Sequence, residues 1–138
     1  MRSGVRAAAS AMLSVWELPQ NVLGLALLVI MRRRIIERRR EDGRLFLRTS
    51  STGVSLGWFV FWCTDESIRR HEYGHTIQSR LLGPFYLPLV GLPSVARALY
   101  ARAYRRCTGR WWPRYFHGYP ENWADRLGGV DNRGRSTV

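Results

Sequence analysis

The stretch RRHEYGHTIQSRLLGPFY, residues 69–86, sets His71 and His75 four residues apart and puts Glu72 directly after the first. The chain holds only three histidines, so two of them are spent one helical turn apart. Residues i and i+4 share a face of an α-helix, and two imidazoles so placed can reach a single metal ion. Zinc suits them, because it takes neutral imidazole nitrogens and wants four tetrahedral ligands. Glu72 sits about 100° round the helix from His71. From there it can face an open coordination position and take a proton from a zinc-bound water, whose pKa the metal lowers to roughly 7. The plainer alternative is a helix with two surface histidines and a solvated glutamate. Context favours the metal. Strand-like runs precede the motif, Thr64 or Asp65 can cap its helix, and a later helix supplies acids.

A catalytic zinc needs a third protein ligand, and the candidates are Glu121, Asp125 and His117. Glu121 and Asp125 form E-x-x-x-D, again at helical spacing, so their carboxylates share a face. One would bind the metal while the other accepts the N–H of a ligating histidine. Alone, the pair is also what any acidic helix start looks like, since carboxylates are favoured near a helix N-terminus.

HEYGH (71–75) on one helix and ENWAD (121–125) on a later one resemble the gluzincin zinc metallopeptidases. The likeness is to the integral-membrane prenyl-protein and heat-shock endopeptidases, and to very small gluzincins reduced to the catalytic core. It covers two short motifs and an order of elements; this chain is far shorter and lacks several clear spanning helices. The resemblance implies that His71, His75 and Glu121 bind zinc, that Glu72 is the general base, and that Asp125 orients His71. It implies a peptide or protein substrate and an antiparallel edge strand that pairs with it, for which VSLGWFVFW is the candidate. A second transition-state stabiliser is not fixed by the motifs; His117, Tyr115 and Tyr119 are candidates.

The remaining chain is read around that core. Residues 1–42 form an apolar helical segment ending in an arginine-rich run, 43–130 the catalytic core, and 131–138 a flexible tail. Within AAASAMLSVWELPQNVLGLALLVIM (7–31), Glu17 is the one charge, and Pro19, Gln20 and Asn21 follow it. Three readings stay open: a short spanning or re-entrant helix, two buried helices broken at ELPQ, or a signal peptide. RRRIIERRRED (32–42) reads as a basic helix end stopped by Gly43. RLFLRTS (44–50) and VSLGWFVFWC (54–63) read as a β-hairpin turning at Ser51, Thr52 and Gly53, with a bulge or close approach at Gly57. Gly74 inside the motif helix is expected to admit a close neighbour, and Tyr73 to be core. LLGPFYLPLVGLPSVA (81–96) is either a buried loop-helix or a membrane-dipping hairpin. A regular helix is expected from Ser94, with arginines outward and Val, Leu and Tyr inward. The fold expected is α+β: a zincin-like minimal catalytic domain, with a short antiparallel sheet, the two site helices and an N-terminal apolar helix.

Net charge is +12, and all 22 basic residues are arginine. Arg32–Arg34 and Arg38–Arg40 follow the apolar run directly, which favours anionic lipid over nucleic acid as a partner. If Val22–Met31 spans, the arginines put the site on the cytoplasmic side; a soluble cytoplasmic protein is the alternative. Cys63 and Cys107 are far apart and in no C-x-x-C pattern, and their sparseness fits reduced structural thiols. Two rival functions remain beside a zinc metallopeptidase: a zinc-binding protein without turnover, and a basic membrane-surface module.

Overall fold

The computed structural model describes residues 2–50, 53–63 and 65–131, with side chains from residue 9 onward. The chain begins with α1 (Arg2–Trp16) and α2 (Leu18–Met31), which meet at Glu17 with an 80° bend. Pro19 in the first turn of α2 suits such a start, because the N–H it lacks would have no helical partner there. Among the described residues no single helix is long and apolar enough to cross a membrane; this bent pair passes that test only together.

After the 3-10 turn Arg32–Arg34, the chain enters β1 (Ile35–Glu41) rather than continuing as a helix end. β1 pairs antiparallel with β2 (Arg44–Thr49) across Asp42-Gly43. Both turn residues have positive φ, 51° and 72°, as a two-residue hairpin with the right twist requires. The expected boundary at 42/43 therefore falls inside a hairpin. Charged side chains line β1, which keeps this outer strand from pairing with other chains.

VSLGWFVFWC is not one strand but two, β3 (Val54–Leu56) and β4 (Phe59–Trp62), antiparallel about Gly57-Trp58. Gly57 has φ of +59°, and a side chain there would collide with Asn21 of α2. The expected 44–63 hairpin is absent: β2 pairs with β4 in parallel. The sheet is thus mixed, in the order β1-β2-β4-β3, and not purely antiparallel. Ser51 and Thr52, expected at the turn, lie outside the described residues.

Side-chain alternation then fixes two layers. Leu47 and Phe61 pack on Met31, with Leu27 and Leu28 of α2 against the same cluster. On the opposite face Phe46 stacks with Tyr73, 6.4 Å between centroids, beneath α3 (Glu66–Leu82). Burial on both faces explains the unbroken apolar run of β4. Arg44 reaches through this layer, fully buried, and donates to the carbonyls of Gly57 and Thr76.

Beyond α3, residues 83–91 run as a 3-10 turn and a π-helical turn into α4 (Leu92–Thr108), which begins two residues before Ser94. The expected orientation of α4 is reversed in part. Leu92, Val95, Leu99 and Tyr100 are exposed, whereas Arg97 turns inward and donates to the carbonyls of Arg114 and Tyr115. After a loop with a 3-10 turn at Tyr115–His117, α5 (Glu121–Gly128) closes the fold. Cys63 and Cys107 form no disulfide. Of the expected tail, only Asp131 is among the described residues. The molecule is α+β, with five helices and one four-stranded sheet among those residues.

Candidate metal centre

The motif helix is built to hold its place. Asp65 caps α3 by accepting from the N–H groups of Ser67 and Ile68 at 2.9 and 3.1 Å, a contact worth about 1 kcal/mol. The other proposed cap, Thr64, lies outside the described residues. Gly74 lets α5 approach: a side chain there would strike the Ala124 carbonyl oxygen. Gly128 does the same for α5 against the Arg70 carbonyl. The two helices therefore meet backbone to backbone, and Glu121 and Asp125 reach the histidines across that seam.

His71 Nε2 lies 2.9 Å from Glu121 Oε2, and His75 Nε2 lies 3.3 Å from the same oxygen. All three residues are buried, and their ligand atoms lie within 4.8 Å of one another. The outward nitrogens are each tied to an acceptor. His71 Nδ1 is 2.7 Å from Asp125 Oδ1, and His75 Nδ1 is 2.7 Å from Gln78 Oε1. Gln78 is oriented by its own amide, which donates to the Pro120 carbonyl at 3.2 Å. Nδ1 of each ring must then carry the hydrogen, so in the neutral ring Nε2 presents a lone pair inward.

Two lone pairs and a carboxylate oxygen facing one another in a buried space repel unless something positive sits among them. A tetrahedral zinc fits. Two ligands about 2.05 Å from such an ion lie about 3.3 Å apart, close to the 2.9 and 3.3 Å between the imidazoles and Glu121. Without an ion, protons must do the work. Burial disfavours the His71 cation, but hydrogen bonds with Asp125 and Glu121 push its pKa up to about 9. Burial acts against the Glu121 carboxylate too, yet the two imidazoles hold its pKa well below the usual range.

Glu72 is buried beside this group and does not join it. Its Oε2 accepts from the Ser55 hydroxyl at 2.8 Å, and the same hydroxyl lies 2.7 Å from the Glu72 carbonyl. Burial pushes the Glu72 carboxyl up, against the two histidines and Ser55. Glu72, His71, His75 and Glu121 all line a cavity of about 550 Å³. Its other walls are mainly apolar, with Val54 and Leu56 of β3 on one side and Leu87, Leu92 and Tyr115 on another. β3 is an outer strand of the sheet, so the edge beside the cleft is Val54–Leu56 alone, while β4 lies inside. Part of that edge is engaged: the Tyr86 hydroxyl donates to the Ser55 carbonyl at 3.1 Å.

Of the residues singled out from sequence, His71, Glu72, His75, Glu121 and Asp125 come together. Among the three candidates in the aromatic loop, Tyr115 lines the cavity. His117 is exposed and lies outside its lining, and Tyr119 instead donates to the Leu89 carbonyl at 2.6 Å. Sequence reasoning did not single out Gln78, Ser55, Ser94 or Phe116. Ser94 donates to Glu121 Oε1 at 2.6 Å, leaving Oε2 to the histidines. Phe116 packs edge-on against His71, 5.3 Å between ring centroids. Gln78 had a visible signal, three residues after His75 and so on the same helix face; the others sit in distant segments with no pattern of their own. Comparison with protein-family models, curated proteins and solved structures found no match.

Proposed function

We propose that this chain is a zinc-dependent metallopeptidase with a zincin-like core. The observation that supports it best is the inward pair of histidine lone pairs meeting one Glu121 oxygen, with both outward nitrogens already satisfied. In this reading His71, His75 and Glu121 hold the ion, and Asp125 and Gln78 orient the two rings. When bound, zinc supplies Lewis acidity, which polarises a scissile carbonyl and makes water acidic enough to deprotonate near neutral pH.

The chain's own groups do the rest. Glu72 accepts the proton of the attacking water and later delivers it to the leaving amine. Its burial favours that exchange, because raising the carboxyl pKa makes it a stronger base towards the attacking water. An extended peptide would lie along β3, where one backbone segment can pair with a short strand. The apolar cleft walls would take its side chains. Tyr115, which lines the same cavity, is the candidate to donate to the reacting carbonyl.

Two assays test this. Wild-type protein should degrade an unfolded protein such as casein and stop when zinc is chelated. Glu72→Gln should keep its zinc and lose activity about 1,000-fold. A wild type that binds zinc and cleaves nothing across a broad peptide library would leave a zinc protein without turnover. A second reading is favoured by the same short distances: a metal-free ion-pair cluster, in which a protonated His71 bridges Glu121 and Asp125. Elemental analysis separates it from both zinc readings.

A further inference from the structure

Helix α2 packs Leu27, Leu28 and Met31 on the sheet and leaves a second apolar face outward. Gln20, Gly24 and Met31 are its buried residues, and Gln20 donates to the Gly83 carbonyl. Leu18, Val22, Leu25 and Val29, spaced i, i+4, i+7 and i+11, are each more than half exposed. That spacing makes one continuous apolar stripe. Helix α4 carries another: Leu92, Val95 and Leu99 are likewise more than half exposed. Both helices border one opening, α4 through its stripe and α2 through Leu23, on a neighbouring face. Leu23 of α2 and Leu92 and Val95 of α4 line the cavity above the histidines while remaining largely exposed, so they form its rim. An apolar surface of this extent has an apolar partner.

Charge selects the partner. Exposed Arg32, Arg33 and Arg34 follow α2 directly, and Arg102, Arg105 and Arg106 follow the apolar half of α4. A second copy of this chain would bring another +12 charges against them. An anionic bilayer offers acyl chains to the stripes and phosphates to the guanidinium groups. We propose that the α2–α4 face seats in the headgroup–acyl boundary of an anionic phospholipid bilayer without spanning it, so that the cavity rim faces lipid. The surface stands without the metal; only one consequence rests on the peptidase reading, that substrates enter as apolar segments presented at the bilayer.

The test is vesicle binding by full-length Glu72→Gln protein, diluted from detergent into preformed vesicles, so that turnover plays no part. Binding to phosphatidylglycerol-containing vesicles should exceed binding to pure phosphatidylcholine. Replacing Arg32, Arg33 and Arg34 together by Gln should lower affinity for the anionic vesicles about 100-fold. Val95→Asp with Leu99→Asp should abolish binding to both vesicle types while far-UV circular dichroism stays unchanged. Three results would overturn the proposal. One is protein that stays in detergent-free solution and floats with neither vesicle. Another is vesicle binding untouched by the Val95 and Leu99 changes, which would make the arginines alone responsible. The third is a discrete dimer in solution that those changes split, which would assign the face to a second copy. A collapse of the fold in the double variant is met by Val22→Gln with Val29→Gln, which must weaken binding at least tenfold.

Discussion

Glu72 and Glu121 are both buried carboxylates within reach of the same two histidines, and their environments push them in opposite directions. Both imidazoles favour the Glu121 carboxylate, as the proposed ligand role requires, whereas burial raises Glu72, as suits the proposed proton acceptor. Asp125→Asn tests the supporting contact, since it replaces the carboxylate that accepts from His71 Nδ1. It should weaken zinc binding about 10- to 100-fold in a competition titration with a chromogenic chelator, with the fold retained. His71 with His75, and Glu121 with Asp125, were legible because helical spacing places each pair on one face, and Glu72 because it directly follows His71. Ser55 and Ser94 were not, because single serines carry no spacing signal. Their roles exist only once β3 and α4 are folded against the site.

At the scale of elements, the contact between α3 and α5 decides whether the site exists. Gly74→Ala puts a methyl group onto the Ala124 carbonyl and pushes α5 outward. It should cost about 2 kcal/mol in urea unfolding and weaken zinc binding more than tenfold, because Glu121 moves with the helix. A substitution that leaves both unchanged would mean that the seam is looser than this. Arg44 ties sheet to helix in the same way. Arg44→Met should lower stability by about 3 kcal/mol, because the carbonyls of Gly57 and Thr76 lose a buried charged donor. The close approach at Gly74 was legible in a glycine placed inside a good helix. β1 was not, since IIERRRE lacks strand alternation and its strand character comes from pairing with β2 across Asp42-Gly43. The parallel β2–β4 pairing was hidden for a similar reason. Two adjacent strand-like runs suggest a hairpin, and only the reversal at Gly57 turns β4 back beside β2.

At the scale of the whole molecule, the proposed centre would couple folding, protons and metal. In the metal-free chain hydrogen bonds with Asp125 and Glu121 outweigh burial and push the His71 pKa up to about 9, from 6.5 for an unperturbed histidine. A raised histidine pKa means that the folded state holds the proton more tightly. The stabilisation is therefore complete below pH 6.5 and is lost as pH rises through 9. Chelated protein should accordingly unfold at progressively lower temperature between those values. Zinc must displace that proton, so its affinity should rise with pH over the same window, by up to tenfold per pH unit. Thermal melts with and without chelator across pH 6 to 10 would show the two curves diverging. Parallel melts would indicate that no ion competes with the His71 proton. The outward apolar face of α2 belongs to this scale as well. From composition, residues 22–31 read simply as apolar, and it took the packed structure to show that Gln20, Leu27 and Leu28 face inward and Val22, Leu25 and Val29 outward.

The account stands or falls on three side chains from two helices sharing one divalent ion. Elemental analysis of wild type, His71→Ala and Glu72→Gln, expressed with added zinc and purified in parallel, tests this directly. The expected result is one zinc per chain in wild type and in Glu72→Gln, and essentially none in His71→Ala. Folded wild-type protein without metal, or a His71→Ala variant that keeps a full complement, would contradict it.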